Sequence, residues 1–215
     1  MIEERLPLFP LQLVLFPDSR LPLHIFEERY KVLINDCIRT GAEFGIVLMN
    51  GSAVSGVGCT AQIVSVSKVY DDGRMDIVVE GKRRFRIRRV DERTAPVLVG
   101  FVEELRSRGG EADQELAEET IRLYNTLVGL AFRSSVKPIV DGARNPVLSF
   151  LIAQKAGMDL AQRQKVLETL TEEERLRILR EHLSAMIPRL AQAEEMEQVV
   201  RSDGYLPRSH TQEEE

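Results

Sequence analysis

A chain of 215 residues with 43% hydrophobic side chains can form one large globular domain or two modest ones, each burying a core. Its formal net charge of −5 gives no global attraction to nucleic acid or an anionic membrane, although a local patch can depart from that mean. No apolar run approaches the ~20 residues needed to span a bilayer, and the acidic start Ile2-Glu3-Glu4 lacks the regions of a signal peptide, so the chain reads as cytoplasmic with no membrane partner.

The segment from Leu6 to Tyr30, LPLFPLQLVLFPDSRLPLHIFEERY, combines two short apolar runs with Pro7, Pro10, Pro17 and Pro22. Proline lacks a backbone donor and fixes φ, so these four belong on strand edges, at bulges or in turns. A helix follows over about Glu28 to Thr40, with Tyr30, Leu33, Ile34, Cys37 and Ile38 at helical spacing and Gly41 placed to end it. Phe44 to Met49 is a short apolar run suited to a buried strand. GSAVSGVG, from Gly51 to Gly58, lacks the Lys-Ser/Thr ending of a phosphate loop and reads as a flexible link between strands. A hairpin is expected from Thr60–Val69 and Met75–Val79, turned by Asp71-Asp72-Gly73-Arg74. The chain then enters the basic run Lys82 to Arg89, and a last strand is expected from Pro96 to Glu103. Strands of this number and length predict a small pseudo-barrel, because closure removes unpaired edges.

After the polar linker Arg106 to Ala112 the patterning turns helical. Leu116, Thr120, Leu123, Leu127 and Leu130 mark one long helix. Asn145 before Pro146, Asp159 with Gln162, and Thr171 with Glu174 mark the starts of three more, near Pro146, Leu160 and Glu172. Pro188 should kink or stop the last of these. The expected organisation is a β pseudo-barrel over 1–105, a helical region over 111–201 and a polar, flexible tail over 202–215.

Two stretches resemble the N-terminal, substrate-binding domain of Lon proteases: LPLFPLQLVLFPDSRLPLHIFEERY at the start, and the hairpin DDGRMDIVVEGKRRFRI from Asp71 to Ile87. The helical stretch PVLSFLIAQKAGMDLAQRQKVLETLTEEERLRILREHL fits that family's pattern more loosely, so the resemblance runs over about Leu6 to Leu190. It implies an α+β fold in which a PUA-like β pseudo-barrel with one helix precedes a C-terminal helical region. It also implies a non-catalytic module that binds unfolded polypeptide segments or a partner protein. A full Lon protease carries a Walker nucleotide site and a Ser-Lys peptidase, and this sequence contains neither G-x-x-x-x-G-K-[ST] nor a serine in a matching peptidase motif.

No cofactor or metal is expected. Cys37 and Cys59 read as small buried hydrophobes. His24, alternating with apolar neighbours, reads as a hydrogen-bonded structural residue, and no histidine pair has zinc-ligand spacing. Two surfaces are candidates for binding. The proline-broken loop offers Leu15, Phe16 and Leu21 to a peptide if they are exposed; otherwise they plug the barrel end. Strand alternation places Arg84, Arg86 and Arg88, with Lys82, on one face opposite Phe85 and Ile87. That stripe either meets an anionic partner, such as RNA in some PUA-like folds, or is a solvated face balanced by Asp71, Asp72, Asp76 and Glu80.

Overall fold

The computed structural model describes residues 3–51, 53–91, 97–110, 112–132, 139 and 147–203. Its elements are β1 (Glu4–Leu11), β2 (Arg20–Ile25), α1 (Glu28–Thr40), β3 (Phe44–Asn50), β4 (Ala53–Val69), β5 (Met75–Asp91) and β6 (Val99–Glu104), then α2 (Gln114–Phe132), α3 (Leu148–Ala153), α4 (Leu160–Glu168) and α5 (Glu172–Asp203). The sheet runs β2-β5-β4-β3-β1-β6, and β6 returns to pair with β5, so five strands close into a barrel with β2 outside it. This is the α+β architecture that the sequence predicts.

β1 shows how a proline-rich strand enters a closed barrel. Its first half, Glu4 to Pro7, pairs antiparallel with β6, and its second half, Leu8 to Leu11, pairs parallel with β3. Each half is in register with one neighbour, so Pro7 and Pro10 can lack a donor without opening a continuous ladder. β4 and β5 are longer than the predicted hairpin, at 17 residues each. They leave the barrel as an arm that turns at Gly73, whose φ is 79°. The link expected at Gly51–Gly58 is largely strand, because β4 begins at Ala53. The reason is packing: a Cβ on Gly58 would lie 2.6 Å from Phe85 Cζ, so this glycine makes room for a ring.

Among the described residues, three apolar clusters hold the fold. Leu6, Leu8, Val47, Phe85 and Val102 fill the barrel. Tyr30, Leu33, Ile34 and Cys37 seat α1 against Phe9, Phe44, Ile46 and Ile77, and Phe9 stacks on Tyr30 with ring centroids 3.9 Å apart. The third cluster joins the halves: Val14, Phe16, Leu48 and Val57 of the β region pack among the buried residues of α2 to α5.

The helix starts follow their caps. Asp159 and Gln162 form a full capping box. Thr171 accepts from the Glu174 N–H at 3.2 Å and donates its hydroxyl to the Glu174 carboxylate at 2.8 Å. α3 begins at Leu148; the predicted cap at Asn145 and Pro146 lies outside the described residues, as does the tail from residue 204. α5 does not stop at Pro188 but continues through it to Asp203. A proline removes one helical hydrogen bond, and the flanking Leu183, Met186, Ile187 and Leu190 pack on the shared core and hold both sides in place.

Candidate functional site

The proline loop is a wedge and presents no surface for a peptide at Leu15 or Phe16. Leu15 is buried in the cluster beneath α1, while Phe16 is buried in the shared core. The Phe16 ring stacks on Phe150 with centroids 5.7 Å apart. Leu21 is half-buried against the cluster under α1. Hydrogen bonds clamp the loop: Ser19 Oγ donates to the Phe16 carbonyl at 2.8 Å, and Asp18 and Ser19 exchange bonds with Gly81 on β5 at 2.9 Å. A side chain on Gly81 would run into the Phe16 carbonyl, so glycine is what lets the loop approach β5.

The arginine run is divided among several environments. Alternation holds locally, since Phe85 points into the barrel and Arg84 points out. The outer side at that point is covered, however, and Arg84 is only 4% exposed, so it belongs to no solvated stripe. Its Nη1 donates to the carbonyls of Leu167 and Thr169, each at 2.7 Å, and its Nη2 donates to Ser107 Oγ at 2.9 Å. Burial and the facing Arg175 guanidinium lower its pKa to about 10, which leaves it charged at neutral pH. Lys82 pairs with Glu80, Arg83 with Glu4 and Glu43, Arg88 with Glu103, and Arg89 with Glu3. The balancing carboxylates thus come mostly from β1, β6 and the turn before β3, and only Glu80 belongs to the expected set. Arg86 is half-buried.

A direct test separates these arginines. Arg84→Gln is expected to cost about 1–3 kcal/mol, because the Leu167 carbonyl loses its donor in a buried site. Arg86→Gln, at a half-buried position, should cost less than that, and Arg88→Gln, at an exposed one, should stay within about ±0.5 kcal/mol. Urea unfolding of the three variants checks this, and equal midpoints would contradict the burial of Arg84.

Beside Arg84 lies a polar cluster that sequence reading did not single out. Arg175 is fully buried. It donates to the Glu172 carboxylate at 2.5 Å, to Ser149 Oγ at 2.8 Å and to the Thr169 carbonyl at 2.9 Å. Glu172 also accepts from the Ser149 N–H at 2.8 Å and its hydroxyl at 2.7 Å. The Phe150 ring lies 5.3 Å from the Arg84 guanidinium and 4.4 Å from that of Arg175. This network bolts β5 to α3, α4 and α5, and Gln164 adds a bond from α4 to the Val57 carbonyl at 3.0 Å. The available signal was an arginine on a helix face otherwise lined by Leu176, Leu179 and Leu183.

Among the described residues, no His, Cys, Asp or Glu side chains gather in threes that could hold a metal. His24 Nδ1 lies 2.6 Å from Asp76 Oδ1 at the surface, with Tyr70 donating to the other carboxylate oxygen at 2.8 Å. The His24 and Tyr70 hydrogen bonds hold the Asp76 carboxyl below its ordinary range. Burial pushes the Cys37 thiol from 9.0 up to about 11, and pushes Cys59 up further. A thiol-specific reagent at mildly alkaline pH should therefore label neither cysteine until the protein is unfolded; rapid labelling of the folded form would contradict their burial. For Cys37 the unfolded chain releases its proton first. Its contribution is complete below pH 9.0 and is lost as pH rises through about 11.

Exposed apolar side chains occur at several places, including Phe26, Val32 and Met196, and three others line up on one strand of the arm. Among the described residues, Val64, Val66 and Val69 on β4 are 42%, 41% and 63% exposed, and Ile38 on α1 is 43% exposed. A groove of about 220 Å³ runs between the C-terminal end of α1, the Gly41–Ala42 turn, and β4 from Gln62 to Val66.

The family model for the ATP-dependent protease La (LON) substrate-binding domain matches residues 5–185. The chain belongs to this family. It is 28% identical over 199 residues to Lon protease of Anaeromyxobacter dehalogenans (strain 2CP-C), covering 83% of this chain and 23% of that protein. It is 28% identical over 203 residues to Lon protease 2 of Myxococcus xanthus, covering 85% and 24%. The chain thus spans about a quarter of the length of these relatives. Among solved structures, a Lon N-terminal domain protein from Xanthomonas campestris superposes with a TM-score of 0.67 at 28% identity, covering 82% of this chain and 96% of that one. The N-terminal domain of the Mycobacterium avium complex Lon protease, at 21% identity, has a TM-score of 0.64, with 84% and 98% covered, and shares the fold. The matched region is the Lon substrate-binding domain and lies outside the ATPase and peptidase parts.

Proposed function

We propose that this Lon substrate-binding domain recognises unfolded polypeptide segments or a partner protein and carries out no chemistry itself. The observation that carries the proposal is the family match over residues 5–185, on a chain whose sequence holds no Walker or Ser-Lys peptidase motif. The exposed valines of the arm supply the apolar surface that such a role needs. An RNA-binding role has less support, since of the four basic residues it would use Arg84 is buried and Lys82 and Arg88 face carboxylates.

Fluorescence anisotropy with a labelled, reduced and carboxymethylated polypeptide and with a labelled single-stranded RNA tests the two. The polypeptide should bind with little dependence on salt. An RNA complex held by roughly three phosphate contacts should weaken tenfold or more over a fourfold rise in salt. Binding of RNA alone, with that salt dependence, overturns the proposal.

A further inference from the structure

β3 and β4 stay paired up to Phe44 and Ala61; from Gln62 to Val69, among the described residues, β4 is paired with β5 alone. In an antiparallel ladder, alternate residues turn their N–H and C=O away from the partner, so this edge presents donors and acceptors spaced for one more extended chain. β2 ends the sheet on the other side, but it has six residues and carries Pro22, both of which blunt an edge. The open stretch of β4 has no proline and a single charge, Lys68, and it stands beside the groove walled by Ile38, Gly41 and Ala42.

We propose that an extended, apolar segment of an unfolded polypeptide docks here as an added strand, pairing with β4 between Gln62 and Val69 and setting side chains against Val64, Val66 and Ile38. This rests on the polypeptide-binding reading above and gives it a place.

The shape of the edge selects this occupant over a second copy of the chain. The register with β5 skips Val64, which lies between the Ile63–Val79 and Ser65–Val78 pairs, and skips Ser67 in the same way. Such bulges bend a strand and increase its twist. A flexible segment can follow a bent edge, whereas bulges hinder pairing with a second rigid edge. A contact confined to the eight residues from Gln62 to Val69 and the short groove beside them is also narrower than the roughly 20–30 residues a side that stable pairs of folded proteins engage. Added-strand binding draws affinity from main-chain hydrogen bonds and selectivity from alternate side chains, which suits ligands of varied sequence.

Two measurements on the whole chain test the inference, with reduced and carboxymethylated lysozyme as the probe. Amide hydrogen exchange between Gln62 and Val69 should slow by roughly tenfold or more when the probe is added. The double variant Val64→Lys/Val66→Lys should keep the wild-type melting temperature and bind the probe at least about tenfold more weakly. If the probe binds while these amides stay unprotected and the variant binds normally, the edge proposal is overturned and polypeptide binding stands. If wild type binds no probe, the functional reading fails and this proposal falls with it. Protection without probe, accompanied by dimers in sedimentation, assigns the edge to a second copy and also overturns it. Should the variant misfold, the exchange measurement on wild type decides alone.

Discussion

Replacing Arg175 with methionine is expected to destabilise the protein by about 3–5 kcal/mol, the cost of leaving a buried charge without its partner. The side chain is fully buried and Glu172 is nearly so, with their atoms 2.5 Å apart. Methionine fills much of the space but strands the carboxylate, which keeps only the two Ser149 donors. The Thr169 carbonyl keeps its bond from Arg84. The loss should therefore come mainly from Glu172, and Glu172→Gln in the Arg175→Met background should recover part of it by removing the charge. Urea unfolding of the two variants reads both effects. A loss below about 1 kcal/mol would place the pair in the class of solvated surface bridges and refute the buried cluster.

Phe85→Ala is expected to cost a similar amount, about 3–5 kcal/mol, through a different mechanism. Phe85 is fully buried inside the barrel with Leu6, Leu8, Val47 and Val102. Its ring rests on bare backbone: a Cβ on Gly45 or on Gly58 would lie 2.7 or 2.6 Å from Phe85 Cζ. The two glycines cannot extend to fill the space that alanine leaves, and closed strands cannot collapse without breaking pairs, so a cavity should persist. Thermal unfolding checks the size of the effect, and a loss under about 1 kcal/mol would mean that the barrel relaxes around the void. Phe85 and Arg84 are adjacent residues on opposite faces of β5, so their variants probe the barrel interior and the helical contact separately.

The contrast between these neighbours shows what could be read from sequence. α1 was legible to both ends, Glu28 and Thr40, because its apolar spacing and Gly41 are local signals. The Asp159 capping box and the turn at Gly73 were legible for the same reason. Phe85 could be placed by its period-2 alternation. The fate of Arg84 could not: alternation tells which side of a strand a residue faces, not what covers that side. The cover comes from Leu167 and Thr169, more than eighty residues away. Leu15 and Phe16 were ambiguous in the same way, since an apolar loop reads alike whether it plugs a core or displays a surface. The candidate docking edge was illegible because it arises from β4 outrunning β3, a matter of relative strand length.

The shared core has a further consequence for the linker. The Arg106 side chain is 81% exposed, so a protease such as trypsin can reach the chain between barrel and helices. One cut there should leave two fragments that travel together on a sizing column and part only in denaturant. Val14, Phe16, Leu48 and Val57 on the first piece would otherwise lie open to water, and the carbonyls that hold Arg84 belong to the second. Once the molecule is assembled, covalent continuity at this point is redundant. What the intact peptide bond supplies is encounter: it keeps each piece at high effective concentration around the other while they find their fit.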